Sequence, residues 1–332
     1  MVRGARALAV LTAALAAGCD ARDAADPADD APELAPDELV RVLGEGPAGR
    51  RVLHPGGVDV VPLHPRDIAA FGIAIDDLVT LGITPRWVGT RWDGDVADYL
   101  VDRVEDSERI GTTGYMTGIN VAQVWRARPD LIVVGNARQY RQLRRIAPTI
   151  VCAKDWADVS EYAPRVRGLG LALGMAAEAE VALAAHRARL QERAATLRSR
   201  LGDRSVALLH VHGHDVRVFG SQVLNRIAGL TGLRADPVVL ADYGADGGFV
   251  GTEALARLRA DVLVAGVDRA SLGAGRSFAR LLRSPLLQNV PAIRDGHVVE
   301  VDITNWVFRS APAAEQLLAD LLEAFPAPLS PR

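Results

Sequence analysis

The chain predicts an α/β fold of two lobes, each built on a mostly parallel sheet, joined by one long α-helix. Three observations carry this. Short apolar runs alternate with helix-period segments from Arg51 to about residue 327, and short connections between them imply parallel strands covered by helices. Met175–Leu201 has no Gly or Pro and is rich in Ala, Leu, Glu, Gln and Arg, all strong helix formers. Finally, Arg126-Ala-Arg-Pro-Asp-Leu-Ile-Val-Val-Gly135 is matched by Arg257-Leu-Arg-Ala-Asp-Val-Leu-Val-Ala-Gly266, with half the positions identical. Each copy closes a helix and opens a strand, and the long helix lies between the copies, which argues for duplicated lobes.

Taken in order, residues 1–19 read as an export signal. Arg3 and Arg6 precede the short apolar run Ala7–Ala17, well below the roughly 20 residues of a membrane span. Ala16-Ala17-Gly18-Cys19 resembles a bacterial lipobox, which would make Cys19 the lipidated mature N-terminus. Residues 20–50 are rich in Ala, Asp and Pro and are expected to form a disordered tether.

The first lobe is expected over 51–158. Its strands fall at Val58–Leu63, Pro85–Gly89, Pro129–Gly135 and Thr149–Ala153, and its helices at Ile68–Leu81, Asp95–Val104, Val121–Ala127 and Tyr140–Ile146. A linking segment, 159–202, contains the long helix. Leu183, Leu190 and Leu197 recur every seven residues, with Ala179, Ala194 and Leu201 filling one apolar stripe. Glu178 and Glu180 near its start and Arg198 and Arg200 near its end suit the helix dipole, and Gly174 and Gly202 bound it. We assign the stripe to packing within the chain, against both lobes, and read the protein as a monomer.

The second lobe, 203–327, repeats the pattern. Strands are expected at Ser205–Val211, Val238–Leu240, Asp261–Gly266 and His297–Val301. Helices are expected at Val223–Thr231, Thr252–Leu258, Phe278–Leu282 and Ala311–Phe325.

Composition excludes several classes. A net charge of −3 argues against a general nucleic-acid binder. Lys154 is the only lysine among 38 basic residues, so arginine is the default cation for an anionic ligand and can grip a carboxylate with two bonds. Of the two cysteines, Cys152 lies in an apolar strand and reads as a core thiol. Gly168-x-Gly170-x-x-x-Gly174 lacks dinucleotide-loop spacing, and no Gly-x-Ser-x-Gly elbow, phosphate loop or acid–base carboxylate pair is present.

Several short motifs, in order and spacing, resemble those of bacterial substrate-binding proteins of ABC importers for ferric siderophores, haem and cobalamin. They are Leu81-Gly82-Ile83-x-Pro85, Arg128–Val133, Arg145–Val151, Thr252–Leu255, Ala260–Leu263, Pro291–Gly296 and Val301-Asp302 followed by Trp306. The resemblance covers about residues 51–325. It implies two Rossmann-like lobes with a ligand cleft between them, modest opening because a helix is a poor hinge, and no catalysis. It also implies docking on a permease through one acidic residue per lobe. Glu253 stands at that place in the second lobe. In the first, the position falls on Ala122, a departure from the pattern.

A binder of this kind draws its ligand groups from loops past the carboxyl ends of strands. Those loops hold Arg91 and Trp92, Arg138 and Tyr140, Trp156, and Trp306, Phe308 and Arg309. Three of the five tryptophans are in this set. Flat rings and guanidinium groups suit an oxygen-rich anionic chelate. His210, His212 and His214 alternate along a strand and would share a face, an arrangement able to hold zinc or to reach haem iron. Gly213 is expected to end the strand and divert His214, so His210 or His212 is read as a hydrogen-bonding group at the cleft edge, with no metal site assigned. Asp242 and Tyr243 are the nearest candidate partners, and His212 or Tyr243 would serve haem.

The expectation is therefore a lipid-anchored, extracytoplasmic binding protein that carries no cofactor, holds a ferric siderophore and delivers it to a permease. Haem or cobalamin is the alternative cargo, and a chelatase-like enzyme on a related scaffold is a further alternative.

Overall fold

A computed structural model describes residues 33–90, 96–113, 118–138, 140–154, 162–268, 271–302 and 310–329. Leu34–Arg332 makes up one unit and is described by itself. The expected signal segment, Cys19 and the tether as far as residue 32 lie outside the described residues. No described helix is long and apolar enough to cross a membrane.

Ordered structure begins before Arg51, which corrects the extent of the tether. Strands β1 (Arg41–Gly46), β2 (Gly49–His54) and β3 (Gly57–Val61) form an antiparallel meander. Leu39 and Val40 are buried in the first-lobe core, Val40 close against Gly168. Lys154 Nζ donates to the carbonyls of Ala35 and Pro36, both at 2.9 Å. An average composition of Ala, Asp and Pro conceals this short apolar anchor.

The first-lobe sheet runs β10-β9-β4-β5-β6 and its pairings are all parallel. Its strands are β4 (Ile68–Phe71), β5 (Trp87–Gly89), β6 (Glu108–Ile110), β9 (Leu131–Val134) and β10 (Thr149–Val151). A short pair, β7 (Thr112–Thr113) and β8 (Gly118–Ile119), stands apart. The helices are α1 (Ile73–Thr80), α2 (Val121–Ala127) and α3 (Tyr140–Leu143), with a 3-10 turn at Asp98–Arg103.

The helix expected from Ile68 is thus two elements. Ile68-Ala-Ala-Phe71 is buried throughout, and a fully buried strand has no alternation to distinguish it from a helix. Gly72, at φ 61°, turns the chain into α1.

After α4 (Tyr162–Leu173) and α5 (Ala176–Leu201) comes the second sheet, β14-β12-β11-β15-β16, with β13 also paired to β11. Strands β11 (Ser205–His212), β15 (Val262–Val267) and β16 (Val298–Asp302) are parallel. On the other side, β12 (Asp215–Val218) runs antiparallel to β11 and to β14 (Gly248–Phe249), while β13 (Arg234–Ala235) is parallel to the start of β11. Helices α6 (Ser221–Thr231), α7 (Pro237–Asp242), α8 (Thr252–Leu255), α9 (Ala274–Leu282), α10 (Pro291–Arg294) and α11 (Ala311–Ala324) complete the lobe.

The strand expected at Val238–Leu240 is helix α7. Asp236 Oδ1 accepts from the amides of Val238 and Val239, and Pro237 occupies the first turn, so local capping overrides the β preference of two valines.

The repeated Arg-x-Arg-x-Asp motif has a structural explanation. Asp130 takes the amides of Arg66 and Asp67 at 2.7 and 3.0 Å, just before β4. Asp261 takes the amide and hydroxyl of Ser205 at 2.8 and 2.9 Å, at the start of β11. Each aspartate precedes one parallel strand and fixes the beginning of its neighbour.

Helix α5 spans two cores. Ala179 and Leu183 belong to the first-lobe core; Leu190, Ala194, Leu197 and Leu201 belong to the second. Between them, buried His186 places Nδ1 2.7 Å from Glu315 Oε1 and Nε2 2.9 Å from the Tyr162 hydroxyl. Arg189 adds two bonds to Glu315, and Arg193 and Arg200 donate to backbone carbonyls of α11 and the residue that follows it.

Within the first lobe, Arg165 on α4 grips Asp77 on α1 through two bonds of 2.8 and 2.9 Å, both side chains being buried. Burial works against the Arg165 charge, but the Asp77 carboxylate outweighs it and raises the guanidinium pKa.

Replacing Arg165 by Met leaves Asp77 as an unpaired buried carboxylate and is expected to cost about 3–5 kcal/mol in denaturant unfolding. The double variant Arg165→Met/Asp77→Leu should recover most of that loss. No recovery would show that the pair is not isolated electrostatically.

Candidate ligand-binding site

In parallel α/β sheets the loops past the carboxyl ends of strands are where side chains escape the sheet and meet ligands. Here the two sheets meet at such loops. Asp76, in the first turn after β4, accepts from Ser310 Oγ at 2.6 Å, and Ser310 follows β16 and caps α11 through the Ala313 amide. The Tyr99 hydroxyl, from the connection after β5, donates to the same oxygen of Asp76 at 2.8 Å. The contact is dry. Burial pushes the Asp76 carboxyl from 3.8 up to about 6, its two hydroxyl donors opposing the shift. This bond joins the first helix of the first lobe to the N-cap of the last helix of the second.

Arg91, Trp92, Trp156, Trp306, Phe308 and Arg309 lie outside the described residues. Arg138 is exposed just past β9, and its amide bonds to Asn136 Oδ1 at 3.0 Å. Glu253 is exposed in the first turn of α8, and Ala122 is exposed on α2. The two positions expected to meet a permease are therefore both on the surface, one acidic and one not.

Tyr140 has a packing role. Its side chain is buried, and its hydroxyl donates to Asp59 on β3. His54 meets the tyrosine ring edge-on at 5.3 Å. The His54 Nδ1 accepts from the Gly56 amide at 3.0 Å, which leaves Nε2 to donate to Asp59 at 3.2 Å. Tyr140 also packs so close to Gly56 that an added Cβ there would meet its ring at 2.9 Å. It fastens the antiparallel meander to the sheet. Its partners lie far away in sequence, so no local pattern reveals this.

Tyr243 is packed against the second lobe. It sits at the end of α7, partly buried against the second-lobe core, and burial pushes its hydroxyl pKa up. Neighbouring Asp242 is paired with Arg257 at 2.7 Å.

At the carboxyl end of β11 the expected geometry holds. The strand ends at His212, Gly213 takes φ 58°, and His214 turns away to Ser277 Oγ at 3.0 Å. His210 and His212 share a face, with ring centroids 6.0 Å apart. The partner missed in the sequence is Asp268, just past β15, whose Oδ2 lies 2.8 Å from His212 Nδ1. Burial, then His212, holds the His210 pKa below its ordinary value. The signal for Asp268 is parallel register: β15 lies beside β11 with Val267 opposite Val211.

A cavity of about 410 Å³ opens elsewhere, lined by Arg50, His64, Ile68, Ile83, Leu173 and Met175 among others. It lies at the amino end of β4, away from the loops above, and the Arg50–Glu45 pair partly fills its polar rim.

Comparison with known proteins agrees with this architecture. The chain is 25% identical over 293 residues to the putative ABC transporter substrate-binding lipoprotein YhfQ of Bacillus subtilis, covering 83% of this chain and 88% of that protein. It is 23% identical over 273 residues to the iron(3+)-hydroxamate-binding protein FhuD of the same organism, covering 80% and 82%. Among solved structures, Staphylococcus aureus SirA complexed with staphyloferrin B superposes with a TM-score of 0.65 at 20% identity, over 83% of this chain and 98% of that one. A periplasmic solute binding protein from Mycobacterium smegmatis reaches 0.66 at 19% identity, over 84% and 100%. These relatives are named as binding and transport proteins, not as enzymes. The sequence profile of the family described as periplasmic binding protein matches residues 68–303, a span that takes in the strands of both parallel sheets and the helix between them, and the chain belongs to that family.

Proposed function

We propose that this chain is the extracytoplasmic binding component of an ABC importer, tethered through a lipidated Cys19, and that it holds a ferric siderophore between its lobes and hands it to a permease. The observation that carries the reading is the match of residues 68–303, both lobes and the helix between them, to the periplasmic binding protein family, in a chain with Arg and Trp residues just past its predicted strand ends. The relatives support it. One binds iron(3+)-hydroxamate by name, and a second, 24% identical over 285 residues, is named an Fe(3+)-citrate-binding protein. The protein acts by non-covalent capture. Arginines such as Arg138, Arg91 and Arg309 would pair with chelate oxygens, while Trp92, Trp156, Trp306 and Phe308 would supply apolar area. Glu253 would contact the permease, with Ala122 leaving the first-lobe contact to other groups. The chain acts as a monomer.

Titration with ferric hydroxamate, catecholate and citrate chelates, with haem and with cobalamin, followed by tryptophan fluorescence, tests this. A ferric chelate should give saturable quenching. Saturation by haem or cobalamin alone, or by none of the ligands, would overturn it. Arg138→Ala and Trp306→Ala should each weaken the best chelate about tenfold without lowering the melting temperature, since a charge-assisted bond or a stacked ring is worth on the order of 1–3 kcal/mol.

A further inference from the structure

The face of β11 changes character toward its carboxyl end. Val206 and Leu208 are buried apolar residues, and the next two on that face are His210 and His212. The parallel neighbour β15 sets Gly266 opposite His210 and Val267 opposite Val211, so the residue that follows, Asp268, comes alongside His212. Residues directly opposite on paired strands share a face, and Gly266 brings no side chain to compete with the His210 ring. One ligand-type atom from each of His210, His212 and Asp268 lies within 4.8 Å of the other two.

The cluster has an unexplained member. His210 Nε2 is buried and, among the described residues, has no hydrogen-bond partner. A native protein leaves few such atoms, and most buried polar groups are completed by a protein partner, a water or an ion. The ring is held by stacking on Phe219, with centroids 6.3 Å apart and planes 26° apart. The nearby cation, Arg217, is engaged in other directions: its guanidinium lies over Phe219 and donates to the Asp246 carbonyl at 2.8 Å. Asp268 is almost wholly buried, so its carboxylate gains from a cation at close range.

We propose that His210, His212 and Asp268 form a binding site for a divalent transition-metal ion of the zinc class, with at least one coordination position open. Two imidazole nitrogens and one carboxylate oxygen suit Zn²⁺, Co²⁺ or Ni²⁺ and disfavour Ca²⁺ or Mg²⁺, which take oxygen donors. His212 is partly exposed, which leaves a path for the ion and room for a water or an external donor at the open position. His214 takes no part. The proposal stands apart from the ferric-chelate reading, because the ion is held by protein side chains and needs no chelator.

Isothermal titration of the metal-free full chain with ZnSO₄ at pH 7.5 should show one ion bound per chain, and Zn²⁺ should raise the melting temperature. Co²⁺ should give visible ligand-field bands. His210→Ala, His212→Ala and Asp268→Asn should each weaken Zn²⁺ about tenfold or more and abolish the cobalt bands, while His214→Ala should change neither. Melting of each metal-free variant reports whether it has folded, and His210→Gln replaces His210→Ala if the latter has not. Absence of saturable Zn²⁺ binding by the folded wild type, or affinity unchanged in the folded variants, overturns the proposal. Chelate titration of the same wild-type sample separates the two readings: zinc binding without chelate binding sinks only the transport reading, and the converse sinks only this one.

Discussion

The rest of the molecule depends on one helix belonging to two hydrophobic cores. Seven residues, two helical turns, separate Leu183 in the first-lobe core from Leu190 in the second. At 1.5 Å per residue, the 26 residues of Ala176–Leu201 reach about 39 Å, with no Gly or Pro at which to bend. Parting the lobes means withdrawing one set of side chains from its core, at about 1.5–3 kcal/mol for each leucine exposed. The C-terminal helix doubles the strut. Arg193 binds a carbonyl in its first turns, Arg200 binds carbonyls at its carboxyl end, and Glu315 is held by His186 and Arg189. A scaffold tied in this way favours a cleft whose two walls stand near their final places before ligand arrives.

Two carboxylates on this axis respond to pH in opposite ways, and the difference lies in their partners. Burial opposes the Glu315 charge, but bonds from His186 and Arg189 outweigh it and hold the pKa near 2, below its usual 4.5. The stability Glu315 contributes is therefore present above about pH 4.5 and lost as pH falls toward 2. For Asp76, burial outweighs the hydroxyls of Ser310 and Tyr99 and the charge of Arg165, so its pKa rises to about 6. Its folded value exceeds its unfolded one, so stability falls as pH rises from about 4 through 6, and the full cost is present above that. The two effects together favour the folded state most near pH 4, where Glu315 is largely ionised and the cost of ionising Asp76 has barely begun. If Asp76 carries that cost, Asp76→Asn, whose amide oxygen can accept the same two hydroxyls, should stabilise the protein at pH 7.5 by on the order of 2 kcal/mol and hardly at all at pH 4. Chemical denaturation at the two pH values measures it, and an equal effect at both would reject the electrostatic origin.

What could be read in the sequence follows from how local its cause is. The long helix was legible almost to the residue, because composition, stripe and bounding glycines all act within its own length. The repeated Asp was legible as a pattern but not as a mechanism, since the amides it receives belong to strands 56 and more residues away. Ile68–Phe71 was merged with the following helix because burial on every side erases the strand period. Val238 and Val239 carry a β signal of their own, whereas the Asp236 cap and Pro237 that make α7 a helix lie just outside the apolar run. The surroundings of Tyr140 and Asp268 were hidden for the same reason: His54 and Asp59 reach Tyr140, and His212 reaches Asp268, only through contacts between residues far apart in sequence.

The duplicated lobes supply an internal control on that last point. The repeat equates Leu131 with Val262, and strand register then equates Ile68 with Val206. Carried forward, the first-lobe counterparts of His210, His212 and Asp268 are Gly72, Ala74 and Ala137. In the first lobe the strand stops at Phe71 and the chain turns at Gly72, whereas β11 runs on to His212 and pairs there with β12. The amino-end aspartates Asp130 and Asp261 recur in both lobes because both sheets need their strand starts fixed, and their donors include backbone amides in each. The carboxyl-end aspartate appears in one lobe only, and its partner is an imidazole. A sheet of this type is thus built without the extended strand, the two histidines or Asp268. In the second lobe they are additions to the shared plan, and among the described residues one of them, His210, keeps a buried nitrogen with no hydrogen-bond partner.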